Sequence, residues 1–248
     1  MKSEKALTIN KKCWDSIAHH FDGKDALPDY GPYSQSEEEL QLLGNIDNTT
    51  VLDIGCGSGH SLEYVRNKRA REVWGVDISE SQIQTARTLL PYENVSLHCG
   101  PMEEKGTIPE NYFDIVYSIY ALGWTMDLRT TLSLVYSYLK EGGIFVFSWE
   151  HPFYPTVDVK EGRIEVTQAY EQSQHRIFES FKEDGIQAVM KRRTLSTYIN
   201  ELIQAGFTIE KLIEGSGRSE AEASYSQRYY SSFKASKVPA TFIIKVRK

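Results

Sequence analysis

Val51-Leu52-Asp53-Ile54-Gly55-Cys56-Gly57-Ser58-Gly59 is the stretch on which the fold turns. Four residues with an apolar run stop at a glycine-rich bend, and an amphipathic segment, His60 to Lys68 with Leu62 and Val65 on one face, follows. Strand, turn and helix in that order present a ligand site. Glycines let the backbone bend sharply and approach a bound molecule where side chains would clash. The helix start beyond them offers unpaired N–H groups, which suit an anionic group. Asp77 stands eighteen residues past Gly59, at the end of the next apolar run, where its carboxylate can accept from a ribose diol. A nucleoside with an anionic tail satisfies both ends. Dinucleotide sites use Gly-x-Gly-x-x-Gly, whereas the spacing here is Gly-x-Gly-x-Gly with an acid two residues ahead.

Outward from this turn the pattern repeats. Val73 to Val76 reads as a second strand, and Ser79 with Gln82 as a capping box opening a helix striped by Ile83, Ala86, Leu89 and Leu90. Asn94 to Cys99, Tyr112 to Tyr120 and Ile144 to Ser148 are further strands, with a helix expected over Leu128 to Lys140 and ended by Gly142-Gly143. Thr194 caps a helix that stops at Gly206, and Phe207 to Ile213 and Thr241 to Val246 complete the set. Apolar runs alternating with amphipathic helices predict an α/β fold, a Rossmann-like seven-stranded mostly parallel sheet with helices on both faces. Residues 49–155 and 194–248 form this core. Residues 1–48 are expected as an N-terminal helical lid, with one helix around Lys11 to Phe21 and another opened by Ser36 and Glu39 and running through Leu43. Residues 156–193 alternate like strands, with turns at Glu161-Gly162 and Asp184-Gly185, and are expected as a small antiparallel β insertion. Gly215 to Val238 reads as a long polar loop.

At this point the chain resembles the class I S-adenosylmethionine (SAM)-dependent methyltransferases, in their small-molecule branch that includes quinone methyltransferases. Val51 to Gly59 is similar to that family's first motif, Val76-Asp77-Ile78-Ser79 to the next, and Phe113-Asp114-Ile115-Val116-Tyr117-Ser118 to its fourth-strand motif. Tyr138 to Gly143 and Leu195 to Phe207 resemble its later passages. The resemblance implies S-adenosyl-L-methionine as cofactor. Gly55 and Gly57, with their neighbours Cys56 and Gly59, would flank its methionine part, and Asp53 would hold the turn and the amino group. Asp77 would take the ribose hydroxyls, Ile78 and Met102 the two faces of the adenine, and Ser118 and Tyr120 the methionine side; Gln82 belongs to the same set. Many relatives carry an acid after the third-strand glycine, but here Pro101 follows Gly100, so either Glu103 or a backbone carbonyl would read the adenine amine.

Methyl transfer is an in-line displacement, so alignment is most of the work and a base is needed only if the acceptor must lose a proton. His151, after the fifth strand, is the candidate base, because that sheet edge borders the crevice in open α/β folds. Trp14, Tyr30, Tyr33 and Trp124 are expected to line the acceptor pocket, with Phe21 either there or in the core. The late-loop residues Tyr225, Tyr229 and Tyr230 are weaker candidates. His19, His20, His60, His98 and His175 show no metal-ligand spacing, so no metal is expected.

A net charge of −6 argues against a partner held through phosphates, and neither an Asn/Asp-Pro-Pro-aromatic motif nor a Pro-Cys nucleophile occurs, so no nucleic-acid partner is expected. Three cysteines without a CxxC pair fit reduced thiols, and no leader or membrane span is evident, so a cytoplasmic protein acting on a small-molecule acceptor is expected. A SAM-binding protein without catalysis and a nicotinamide-dependent oxidoreductase are the alternatives.

Overall fold

The computed structural model describes residues 3–21, 28–171, 175–215 and 230–248. A helix α1 (Ser3–Ile17) leads into a 3-10 turn over Ala18–Phe21, and a one-turn helix α2 (Glu37–Leu40) follows. Then come β1 (Thr50–Ile54), α3 (His60–Asn67), β2 (Glu72–Asp77), α4 (Glu80–Leu89), β3 (Val95–Cys99) and β4 (Phe113–Ile119). The chain continues through α5 (Leu128–Tyr138), β5 (Leu139–Glu150), two short ribbons β6 (Val157–Lys160) with β7 (Arg163–Val166) and β8 (His175–Phe178) with β9 (Ala188–Lys191), then α6 (Leu195–Ala205), β10 (Thr208–Glu214), α7 (Ser232–Ala235) and β11 (Thr241–Arg247). The seven-stranded sheet has the order β10-β11-β5-β4-β1-β2-β3, parallel except around β11. The chain leaves β1 toward β2 and β3, then returns to β4 on the other side. The order therefore reverses at β1, and a crevice opens at the carboxyl ends of β1 and β4, as expected at such a switch point.

The sheet is apolar on both faces because both are covered. Leu52, Val116, Phe145, Phe147 and Ile244 pack with α5 and α6 on one side, and Val51, Val73, Ile115, Val146 and Ile243 pack with α3 and α4 on the other. Among the described residues no helix is long and apolar enough to cross a membrane.

Several sequence expectations need correction. The helix after β4 ends at Tyr138, because Leu139 is fully buried opposite Phe113 and Lys140 reaches back to Asp114 at 2.7 Å, so both already belong to β5. Gly142-Gly143 therefore sits within β5, at the shift between the Phe113–Leu139 and Ile115–Ile144 pairings. The Ser36–Glu39 box forms, but α2 stops after one turn because Gln41 turns left-handed; Glu37 then receives the N–H groups of Leu42 and Leu43, which are buried. At α4, Ser79 caps Gln82 N, yet the Gln82 side chain turns to Ala18 O and the box stays half-made. The insertion is two separate ribbons. Glu161-Gly162, both at positive φ, closes the first as a two-residue turn, whereas Asp184-Gly185 lies in the loop joining β8 to β9, inside a tight turn closed by Ile186 N to Glu183 O. The late polar stretch contains α7, and Tyr225 and Tyr229 lie outside the described residues.

Candidate functional site

At the switch point lies a cavity of about 700 Å³. Its floor comes from the strand ends. Gly55 and Gly57 follow β1, Asp77 ends β2 and Ile78 follows it, Gly100 to Glu103 follow β3, and Ile119 ends β4 with Tyr120 and Ala121 after it. Gly55 is held at φ +81, and a Cβ there would stand 2.1 Å from the Ala121 Cβ, so no other residue fits the bend. A Cβ at Gly57 would meet only Gln82 Oε1, at 3.9 Å, so the turn faces open space. The backbone N–H groups of Gly55 and Cys56 both bond to Val76 O, which fastens the bend to β2.

The electrostatics of this floor favour a ligand with cationic and hydroxyl groups. Asp77 accepts from Gly57 N (2.9 Å) and Ser79 N (2.8 Å), so its carboxylate bridges the glycine turn to the start of α4. Burial raises its carboxyl above the usual range, and those two N–H groups pull it partly back. Asp53 is fully enclosed, and its Oδ1 has no hydrogen-bond partner. Burial lifts this carboxyl well above normal; the Tyr117 hydroxyl, close but without hydrogen-bond geometry, opposes the rise and the Asp77 charge adds to it. Gln82 Oε1 is likewise buried and unpartnered. Buried polar atoms are normally satisfied; Asp53 lies behind the turn and does not line the cavity, whereas Gln82 does, so the orphaned Gln82 oxygen is the one that fits a bound donor. The lining residues match an adenosyl amino acid: a ribose for Asp77, an amino group for the unsatisfied Gln82 oxygen, and apolar Ile78 and Met102 for a purine.

The remaining cavity wall is aromatic. Trp14 of α1 stands edge-on to Trp124, centroids 5.2 Å apart, and Trp124 does the same to Phe181 at 5.2 Å and to Trp149 at 6.0 Å. Phe21 and Phe178 extend this box. The wall is pinned from two sides by α1. Asn10 makes a buried two-way amide pair with Val189 of β9, and Asp15 accepts from Ser79 Oγ and Ser81 N at the head of α4.

Of the sequence candidates, the fold brings Gly55, Gly57, Asp77, Ile78, Gln82, Met102, Glu103, Tyr120, Trp14 and Trp124 to the cavity. Glu103 also accepts from Met126 N, which fixes its carboxylate. Others are placed elsewhere. Ser118 is fully buried and donates to Ile54 O, tying β4 to β1. Cys56 and Gly59 lie behind the turn: Cys56 packs toward Gly75, and Gly59 lets α3 approach Ala86 of α4 and Leu90 just past its end. Tyr30 is a core residue whose hydroxyl donates to Glu37, and Tyr33 packs with Tyr154, Ala235 and Ala240; neither lines the cavity.

His151 corrects the largest expectation. It does not line the cavity. Its Nδ1 accepts from Phe153 N at 3.2 Å, which leaves the proton on Nε2, donated to Glu214 at 2.7 Å. Both nitrogens are spent on holding the chain after β5. The preceding residue, Glu150, faces the cavity instead and accepts from Tyr230, whose hydroxyl lies 3.4 Å from that of Tyr120. Alternation along a strand end turns one neighbour inward and the other away, and the sequence offered no means of choosing between them. Sequence reading also missed Trp149, Phe178, Phe181, Arg176 and Met190, which reach the cavity only through long-range packing.

A family profile described as "Methyltransferase domain" matches residues 52–147. The chain is 32% identical over 189 residues to an uncharacterized protein of Haemophilus influenzae, covering 71% of this chain and 73% of that one. It is 32% identical over 111 residues to malonyl-[acyl-carrier protein] O-methyltransferase of Priestia megaterium, covering 44% of this chain and 40% of that protein. A crystal structure of an S-adenosylmethionine-dependent methyltransferase from Mesorhizobium loti is similar with a TM-score of 0.70 and 25% identity, over 84% of this chain and 95% of that one.

Proposed function

Because the chain belongs to the class I SAM-dependent methyltransferases, we propose that its methyl acceptor is a compact small molecule with a flat apolar body, held in the aromatic half of the cavity. The observation that carries this reading is the box of Trp14, Trp124, Trp149, Phe178 and Phe181, continuous with the glycine cradle and roofed by α1 and the insertion. A volume of about 700 Å³ falls within the usual range for small-molecule sites. The chain carries three unpaired thiols, Cys13, Cys56 and Cys99, which suits the reducing cytoplasm, and neither nucleic acid nor membrane is needed as a partner.

Asp77 and Gln82 would hold the cofactor's ribose and amino groups, with Asp53 behind the turn, and Ile78 and Met102 its purine. When bound, the cofactor supplies a methyl group already activated on a sulfonium for in-line displacement. The protein's residues contribute alignment, which can supply on the order of 7–11 kcal/mol when two reactants are held in register. The aromatic box excludes water and fixes the plane of the acceptor. Glu150, aimed into the cavity beside Tyr230, is the group placed to accept a proton from an acceptor hydroxyl, amine or thiol.

Calorimetry with S-adenosylhomocysteine tests the cofactor half, and a tritiated-methyl assay against fractionated lysate tests the acceptor. Stoichiometric binding with label in the low-mass fraction is expected. Label on protein or nucleic acid would defeat the small-molecule reading, while binding without transfer to any fraction would favour a non-catalytic protein. Saturable NADH binding in place of S-adenosylhomocysteine would favour an oxidoreductase.

A further inference from the structure

The sequence shows no metal-ligand spacing among its histidines, yet folding brings a distant carboxylate against an adjacent pair of them. His19 and His20 lie in the 3-10 turn after α1, and Glu183 lies in the loop between β8 and β9. His19 Nε2 stands 3.1 Å and His20 Nε2 2.8 Å from the same oxygen, Glu183 Oε1. The two rings are 4.2 Å apart at a 35° tilt, and all three ligand atoms lie within 4.8 Å of one another. Among the described residues this is the one group of three or more such side chains that could hold an ion.

The geometry points to a divalent-cation site of the zinc class, built from His19, His20 and Glu183, that clasps the N-terminal segment to the insertion. Two imidazole nitrogens and one carboxylate oxygen form a donor set that zinc accepts, with water filling the remaining position. Ligand atoms about 2.0–2.1 Å from a tetrahedral ion stand roughly 3.3 Å apart, a few tenths more than the two imidazole–carboxylate contacts, so a small side-chain rotation gives both of them the spacing an ion needs. Each neutral ring moves its proton from Nε2 to Nδ1, and the carboxylate is already an acceptor. His19 and His20 are 61% and 42% exposed, so an ion reaches them without any opening of the fold.

The location gives the site a consequence. Phe21, next to His20, and Lys182, next to Glu183, both line the cavity, and the Lys182 Nζ lies 5.6 Å from the centroid of the Phe21 ring. The clasp therefore joins the two covering segments at the rim of the reaction chamber. An ion there replaces one hydrogen bond and one close polar contact, which water can rupture, with three coordinate bonds, and so holds the cover shut. This inference does not depend on the identity of the acceptor.

The test is a titration of the full-length, tag-free protein with Zn²⁺ against a chromophoric chelator, with hydrogen exchange as a second readout. One equivalent of Zn²⁺ is expected. Glu183→Gln and His20→Ala should each weaken it about tenfold or more, since even outer-shell partners of a bound metal cost that much, and His175→Ala should leave it unchanged. Zinc should also slow exchange in residues 3–21 and 179–191 of the wild type but not of Glu183→Gln. No stoichiometric binding, binding indifferent to Glu183→Gln, or binding without the change in exchange would each overturn the proposal. Circular dichroism of these exposed-site variants verifies that a loss of binding is not a loss of fold.

Discussion

The floor and the walls of the cavity are made from different kinds of sequence. The floor uses short segments at the ends of adjacent parallel strands: Gly55 and Gly57, Asp77 to Gln82, Gly100 to Glu103, and Ile119 to Ala121. Its working groups are backbone bends and carboxylates fixed by backbone N–H groups. The aromatic walls draw on α1, the turn after β4, the end of β5, and β8 with the loop that follows it, and are held by ring-on-ring contacts. A ligand read by the backbone demands particular residues at particular spacings. One read by side-chain shape demands only that suitable rings arrive, from wherever the chain can deliver them.

This contrast can be broken by substitution. The greatest effect is expected from Gly55→Val. Its φ alone costs about 1–3 kcal/mol for a residue with a side chain, and the overlap with Ala121 adds to that. Calorimetry should find S-adenosylhomocysteine binding abolished, and chemical denaturation a less stable fold. Trp124→Ala should cost roughly 2 kcal/mol of stability, less than a fully buried tryptophan because it is only partly buried. Nucleoside affinity should be retained, and a parallel fall in that affinity would show that floor and walls are one unit. Asp77→Ala should weaken S-adenosylhomocysteine by about 1–3 kcal/mol, as ribose and backbone donors lose their acceptor; unchanged affinity would remove the ribose assignment.

A pH effect sharpens the same point. The folded state holds the Asp53 proton more tightly than the unfolded chain, because burial raises this carboxyl. Stability from this group is therefore complete below the usual carboxylate range and drains away as pH climbs through the raised value. Asp53→Asn should accordingly raise the apo melting temperature at about pH 8, with the gain shrinking toward about pH 4, while weakening the nucleoside. A variant less stable than wild type at the higher pH would contradict the orphaned-carboxylate reading. The smallest effect is expected at His151, whose replacement by Gln should leave turnover near wild type, whereas Glu150→Gln slows it; kcat against a confirmed acceptor decides.

Legibility in the sequence followed the same division. The strand–turn–helix around Gly55 and the acid at Asp77 are local, and each stands where the spacing placed it. Strand existence was equally readable, because runs such as Phe113 to Ile119 must be apolar on both faces. Boundaries set by pairing were not: Leu139 and Lys140 continue a helical pattern and enter β5 only because Phe113 and Asp114 wait opposite. Tyr30 and Tyr33 looked like pocket aromatics, and nothing local says that Glu37 and Tyr154 claim them for the core. The choice between Glu150 and His151 depended on Glu214, which lies sixty-three positions away.

Helix α1 bonds on one flank to the insertion, through Asn10 and Val189, and on the other to the head of α4, through Asp15 and Ser79, while the 3-10 turn after it takes Gln82 on Ala18 O. One beam thus spans two rooms. The same fifteen residues therefore support the edge of the glycine cradle and the aromatic chamber at once.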